Sequence, residues 1–240
     1  MSALPDDTCV YAVGDVHGYS ALLDALHARI RAHADAAGFE RRVLIHLGDY
    51  IDRGPDSKGV LERLAASWPG WERVDLMGNH ESLMLDFIDG TRDGKIWFAN
   101  GGLETLASFG VPTDAPEPHA RAGLIRALGE AGLRRLRALR LSHREGGYFF
   151  AHAGVRPGVP LDAQRAEDLL WIREAFWGAD FDPGAVVVHG HTIRPEPQDL
   201  PHRIGIDLGV YRHFRLGAAA LSGGEREFLI VEGVVRGPGA

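Results

Sequence analysis

A single cysteine, Cys9, stands in 240 residues and leaves no partner for an internal disulfide. It lies in the apolar run Cys9-Val10-Tyr11-Ala12-Val13, so a buried, inert thiol is expected. No apolar stretch approaches the length that spans a bilayer, so no membrane partner is expected. The acidic start, residues 1–7, lacks the apolar core of a signal peptide, and cytoplasm is the expected location. Basic excess is also missing. The net charge of −7 argues against a nucleic-acid partner, which would need a basic footprint. Internal repeats and low-complexity segments are absent from the sequence. What is there suits an ordinary globular protein, and residues 1–240 are of a length to share one core, as a single domain.

The first half alternates strand and helix signals. Residues 10–13, 43–47 and 73–77 read as short apolar strands. Between them lie two helices. In the first, Ser20 can serve as cap, Leu22, Leu23, Leu26 and Ile30 share one face, and Gly38 lies beyond the end. The second covers residues 57–68 and is stopped by Pro69 and Gly70. This order implies parallel strands with helices packed against them. Residues 81–142 read as mostly helical, with a surface loop marked by Pro112, Pro116 and Pro118. A helix is expected over residues 124–141, where Arg134, Arg135, Arg137 and Arg140 form a solvated basic face in preference to a docking surface. The last third returns to strands at residues 148–151, 185–188, 203–206, 218–221 and 228–231, too close together for long helices between them. The expected fold class is therefore α/β (α+β), with two mixed β-sheets packed face to face and flanked by helices. The glycine-rich residues 233–240 read as a flexible tail.

Metal-ligand residue types recur just after these apolar runs. Gly14-Asp15-Val16-His17-Gly18 follows the first, Gly48-Asp49-Tyr50-Ile51-Asp52-Arg53-Gly54 the second and Gly78-Asn79-His80-Glu81 the third. His152-Ala153-Gly154 and His189-Gly190-His191-Thr192 follow later strands. Ligands bind outside the carboxyl ends of strands in such sheets, so five loops can meet in one cleft. Asp oxygens with His nitrogens and no thiolate suit Mn²⁺, Fe or Zn²⁺ better than Ca²⁺. Asp15 and His17 can face one side, Asp49 can bridge two ions, and Asn79, His152 and His191 can complete the ligand set of the second ion. Two such ions stabilise both oxygens of an in-line displacement and make hydroxide available near neutral pH. His80 can then protonate the leaving oxygen, oriented by Asp52, while Arg53 forks onto phosphate. Each of these residues alone reads better as a turn or cap residue, and the five loops together reverse that. His46 and His189 read better as core histidines, and His189 keeps a supporting role beside His191 as an alternative. Trp97, Trp171 and Trp177 read as core, and Tyr50 as packing or cleft lining.

The motif set resembles the phosphoprotein phosphatase family of calcineurin-like metallophosphoesterases, over residues 10–221. The resemblance implies a central β-sandwich, two divalent metal ions commonly supplied as Mn²⁺, and hydrolysis without a phosphoenzyme. It implies that Asp15, His17 and Asp49 hold one ion, that Asp49, Asn79, His152 and His191 hold the other, and that His80 with Asp52 is the acid pair. Asp168-Leu169-Leu170-Trp171-Ile172-Arg173 resembles the stretch carrying a second phosphate-binding arginine, which would pair Arg173 with Arg53. Gly190-His191-Thr192-Ile193 departs from the GHxH ending of many diesterases. The intact Asp52-Arg53 pair and Glu81, in place of the Asp usual in symmetric dinucleoside tetraphosphatases, favour a monoester phosphatase. A serine/threonine protein phosphatase with latitude toward phosphotyrosine and small phosphoesters is expected, with dinucleoside tetraphosphate or other phosphoanhydride hydrolysis as the alternative.

Overall fold

The computed structural model describes residues 4–233. In chain order the first part runs β1 (Thr8–Val13), α1 (Ser20–Ala37), β2 (Arg41–His46), α2 (Ser57–Ala65), β3 (Glu72–Asp75) and α3 (Asn79–Asp89). Helices α4 (Lys95–Trp97), α5 (Leu103–Ser108) and α6 (Glu117–Arg137) follow. The remainder is β4 (Ser142–Glu145), β5 (Tyr148–Ala151), α7 (Ala166–Trp171), α8 (Glu174–Trp177), β6 (Val186–His189), β7 (Gln198–Leu200), β8 (Arg203–Gly205), α9 (Val210–His213), β9 (Arg215–Ser222) and β10 (Glu225–Glu232). The expected tail at residues 233–240 falls, after Gly233, outside the described residues.

The strands form two five-stranded sheets, ordered β10-β9-β1-β2-β3 and β4-β5-β6-β8-β7. Both are mixed: β1, β2 and β3 run parallel, as do β5, β6 and β8, with antiparallel strands at the flanks. Successive strand side chains point to opposite faces, and β1 shows the consequence. Val10 and Ala12 join Tyr148, Phe150, Val188 and Ile204 in the layer between the sheets. Cys9, Tyr11 and Val13 face Leu23, Leu26 and Ile30 of α1 on the other side, where the thiol is buried. A smaller cluster, with Phe149, Val187, Leu169 and Phe176, covers the outer face of the second sheet. The expected helix–sheet–sheet–helix layering is therefore present.

Several local expectations need correction. Ser20 does not cap α1. Tyr19 holds that position without a side-chain bond, Ser20 is already the first helical residue, and its hydroxyl donates to the Asp56 side chain. Helix α2 ends at Ala65 because Arg73 donates to the carbonyls of Leu64 and Ala66, closing the last turn. Trp68 is thereby freed to pack against Trp71 and His27. Helix α6 starts at Glu117, so Pro118 lies in its first turn, where no intrahelical N–H is needed. It breaks at Gly129, whose φ of 64° and ψ of 173° lie outside helical space. Its arginines form the expected solvated face, with Arg134 bound to Glu130 and Arg137 to Asp89. Strands β4 and β7 lie outside the apolar runs that mark the other strands. Both are polar edge strands without the alternation that marks a buried face.

Asp56 joins two elements that position the site, since it caps α2 through Gly59 N–H at 2.9 Å and receives Ser20 from α1. Asp56→Ala should lower stability by about 1–2 kcal/mol, from the cap and the lost Ser20 bond. A thermal scan should register a fall of about 2–8 °C for a chain of this size. An unchanged midpoint would show that neither bond holds the α1–α2 corner.

Candidate metal centre and active site

The proposed ligands sit where the parallel strands end. Asp15 and His17 follow β1, Asp49, Asp52 and Arg53 follow β2, and Asn79 and His80 open α3 just beyond β3. His152 follows β5 and His191 follows β6. Among the described residues, six non-glycine positions have positive φ, and five are His17, Asp49, Asp52, Arg53 and His191. Such backbone is held only when the surroundings over-determine it, and it gathers at functional sites. Glycines let the loops interlock. A Cβ on Gly48 would stand 2.5 Å from Gly78 N, and one on Gly190 would stand 2.0 Å from Asp15 Oδ1.

Two groups of side chains could each hold a metal ion: His17, Asp49 and His80, and Asp49, His152 and His191. Asp49 belongs to both. Its Oδ2 lies 3.6 Å from His17 Nε2 and 3.8 Å from His80 Nε2, while its Oδ1 lies 3.4 Å from His152 Nε2. Asn79 Oδ1 stands 2.8 Å from His152 Nε2, within the second group. Asp15 is also brought in. Its carboxylate accepts the His191 N–H at 3.1 Å, although it lies outside both groups as defined by close ligand atoms.

The residues fit cations on their own chemistry. His17 Nδ1 lies 2.9 Å from the Ile51 carbonyl and His152 Nδ1 lies 3.0 Å from the Leu47 carbonyl. An Nδ1–H donor in each case turns the Nε2 lone pair toward Asp49, and lone pair against carboxylate is repulsive unless a cation lies between. The buried Nε2 of His191 has no protein partner. Burial pushes the His17 imidazole down to about 3 and that of His191 to about 2, and it lowers His152 as well. All three are therefore neutral, the form that ligates. Negative charge accumulates opposite them. Burial, with the nearby Asp207 and Asp49 carboxylates, drives Asp15 well above the usual range. Burial also pushes Asp207 up to about 6. Bound cations would relieve both.

His80 behaves differently. Burial opposes its charge, but the carboxylates of Asp49 and Asp52 outweigh it and raise its pKa. Its Nδ1 lies 2.6 Å from Asp52 Oδ2. Asp52 is held in turn by the Thr105 hydroxyl at 2.6 Å and the Trp97 indole N–H at 2.9 Å. The expected reading of Trp97 as core is right about burial and misses this bond. Arg53 Nη1 lies 3.3 Å from His17 Nε2, and its guanidinium stacks 4.4 Å over the Tyr211 ring. Arg173 is exposed and follows Trp171, whose ring lies edge-on to His191, by two residues.

Other expectations resolve here. Tyr50 is packing: it is fully buried, and its hydroxyl donates to the Leu76 carbonyl at 2.6 Å. His189 is a core histidine against Phe176, with Nδ1 at the Gly190 carbonyl. Trp177 is half-buried against Arg194. Trp171 is not core, being 40% exposed beside His191. Glu81, which the motif offers as a mark of the monoester branch, also has a structural role: its buried carboxylate accepts the N–H groups of Asp49, Tyr50, Ile51 and Gly78 at 2.9–3.3 Å. A helix-opening glycine followed by Glu at the third helical residue was the available signal. Burial and Asp49 push that carboxyl up to about 8. Since every bond it receives comes from an N–H, only the ionised form satisfies them, and cations beside Asp49 would restore that form.

Residues 10–198 match the calcineurin-like phosphoesterase family. The chain belongs to this family. It is a hydrolase of the metallophosphoesterase type, with His and Asp side chains positioned for a dinuclear metal site. Serine/threonine-protein phosphatase 2 of Salmonella typhimurium is 38% identical over 94 residues, which cover 39% of this chain and 38% of the relative. The likeness to that phosphatase is thus confined to a little over a third of its length. The asymmetrical bis(5'-nucleosyl)-tetraphosphatase PrpE of Bacillus subtilis is 26% identical over 215 residues, covering 82% of this phosphoesterase and 84% of the relative. The structure of a protein serine/threonine phosphatase from Saccharomyces cerevisiae superposes with a TM-score of 0.59 at 14% identity, over 97% of this chain and 82% of that one, and supports the fold. Among the described residues of this phosphoesterase, no helix is long and apolar enough to cross a membrane.

Proposed function

We propose that this phosphoesterase hydrolyses phosphate monoesters as a serine/threonine protein phosphatase with latitude toward phosphotyrosine. The observation that carries the reading is the position of Asp49, shared by two ligand groups and 3.8 Å from a histidine that Asp52 orients. In this reading Asp15, His17 and Asp49 hold one divalent ion, and Asp49, Asn79, His152 and His191 hold the other. Mn²⁺ suits the mixed oxygen and imidazole set, with Fe and Zn²⁺ as alternatives. When bound, the ions supply a water of lowered pKa and neutralise phosphoryl oxygens.

The chain's own groups do the rest. Arg53 and Arg173 grip the phosphoryl oxygens, and the Tyr211 ring keeps the Arg53 guanidinium aimed. Water adds to phosphorus as the ester P–O bond breaks, and the leaving oxygen takes the Nε2 proton of His80. Asp52 fixes the ring through Nδ1, so Nε2 is the nitrogen that delivers it. A cytoplasmic location accords with the lone buried thiol of Cys9.

The Mn²⁺-loaded protein should hydrolyse p-nitrophenyl phosphate, and excess chelator should abolish the activity until metal is restored. Robust turnover in chelator would overturn the metal reading. The likeness to the tetraphosphatase across most of the chain favours phosphoanhydride hydrolysis as the second reading. Comparing kcat/KM for a phosphopeptide and for diadenosine tetraphosphate decides between them, and a clear preference for the dinucleotide would displace the monoester reading.

A further inference from the structure

The chain has five tryptophans, five tyrosines and ten phenylalanines, all within the described residues. Of these only Trp171 is exposed, at 40%. An indole with two fifths of its surface in solvent is unusual, because its apolar area normally dominates a core or an interface. The place is specific. Trp171 ends α7 and lies edge-on to His191, with ring centroids 6.4 Å apart and planes at 83°. The platform is fixed as well. Ala153 N–H, next to His152, donates to the Leu169 carbonyl at 2.8 Å, and Asp168 is paired with Arg156. Tyr211, the aromatic that flanks His17, is already half-buried under Arg53. The unused aromatic surface beside the ligand groups is therefore that of Trp171.

We propose that the exposed part of Trp171 stacks on an aryl leaving group, and that this contact gives the site its latitude toward phosphotyrosine. The inference rests on the monoester reading and narrows it. An aryl ester carries its ring directly on the scissile oxygen, so the ring must lie close to the ligand groups. Trp171 is one ring contact away from His191, within the range of about 4.5–7 Å over which aromatic pairs attract. A serine leaving group has no ring to stack. A nucleoside base is separated from phosphorus by its sugar, so it would not be held against the ligand groups by the ester itself.

The test is kcat/KM of the Mn²⁺-loaded protein on two peptides that differ only in phosphotyrosine or phosphoserine, with diadenosine tetraphosphate as a third substrate. In Trp171→Ala the ratio of phosphotyrosine to phosphoserine should fall about tenfold, mainly through KM. Trp171→Phe, which keeps a ring, should recover most of the ratio. Metal content and the thermal midpoint, measured alongside, separate a binding effect from a folding one. An unchanged ratio with both peptides still turned over overturns this inference alone. A loss confined to the dinucleotide overturns the aryl assignment in favour of a base. A wild-type protein that cleaves the dinucleotide and neither peptide overturns the monoester reading, and the aryl assignment with it.

Discussion

His80→Asn should lower kcat by about 10²–10⁴-fold, the usual worth of a positioned general acid. That range corresponds to about 2.7–5.5 kcal/mol of transition-state stabilisation. The size follows from how the ring is held. Asp52 takes the Nδ1 side at 2.6 Å, and Asp52 is itself fixed by Thr105 and Trp97, so the imidazole has one orientation available. Asn79 and Asp49 need not move, because His80 opens a helix whose backbone is held independently through Glu81. Metal content should therefore stay unchanged. The proximity of His80 to His17 and Asp49 makes it a candidate ligand as well, and the same variant decides between the roles. Loss of one ion would make His80 a ligand. Retained metal with lost rate makes it the acid. The dependence on leaving group sharpens the result: nitrophenolate departs without a proton, so the deficit should be larger on a phosphoserine peptide than on p-nitrophenyl phosphate. Equal deficits would point to a fault elsewhere in the site, and an unaltered rate would remove His80 from the chemistry.

The parts of this protein that could be read in advance are those whose determinants are close in sequence. Strands β1, β2 and β5 are buried along most of their length, and they stand out as apolar runs that end at a polar loop. The ligand loops follow because sharp turns, carboxylates and imidazoles are packed into a few consecutive residues. The unreadable parts depend on distant partners. Strands β4 and β7 exist because a neighbour offers an edge, and nothing in Ser-His-Arg-Glu or Gln-Asp-Leu marks that. Thr105 acts on Asp52 across 53 residues, and Tyr211 supports Arg53 from a helix of four residues with no motif. Asp207 was within reach: it follows the apolar Ile204 and Ile206 and precedes Gly209, the same signature that exposed Asp15 and Asp49. Trp171 could not have been placed, because a tryptophan among leucines reads as core until the fold turns it outward. Arg173 was reached only through the family resemblance, and its exposed position shows why spacing alone was insufficient.

Glu81→Gln tests whether the site is built from the backbone up. The carboxylate uses both oxygens: Oε1 accepts Tyr50 and Ile51 N–H, and Oε2 accepts Asp49 and Gly78 N–H. It thereby ties the β2 loop to the start of α3 in a fully buried position. An amide oxygen can serve only one of those pairs. The NH₂ group would then face two N–H donors with no water to relieve them, at about 1–3 kcal/mol for each unsatisfied group. The expected loss of stability is roughly 3–5 kcal/mol, the range for breaking a buried charge interaction by removing one partner. Denaturant unfolding of the metal-free protein, run above the value of about 8 to which burial raises this carboxyl so that it is ionised, would measure it. Metal affinity should fall too, by about 10–100-fold, because Asp49 keeps its left-handed φ of 52° only while its N–H is anchored. The two effects have different readouts, and calorimetric titration with Mn²⁺ supplies the second. Weakened metal binding at unchanged stability would mean that Glu81 acts through charge alone. Unchanged metal binding would mean that the loop is held by its glycines and by β2, and that the carboxylate is not what keeps Asp49 between the two ligand groups.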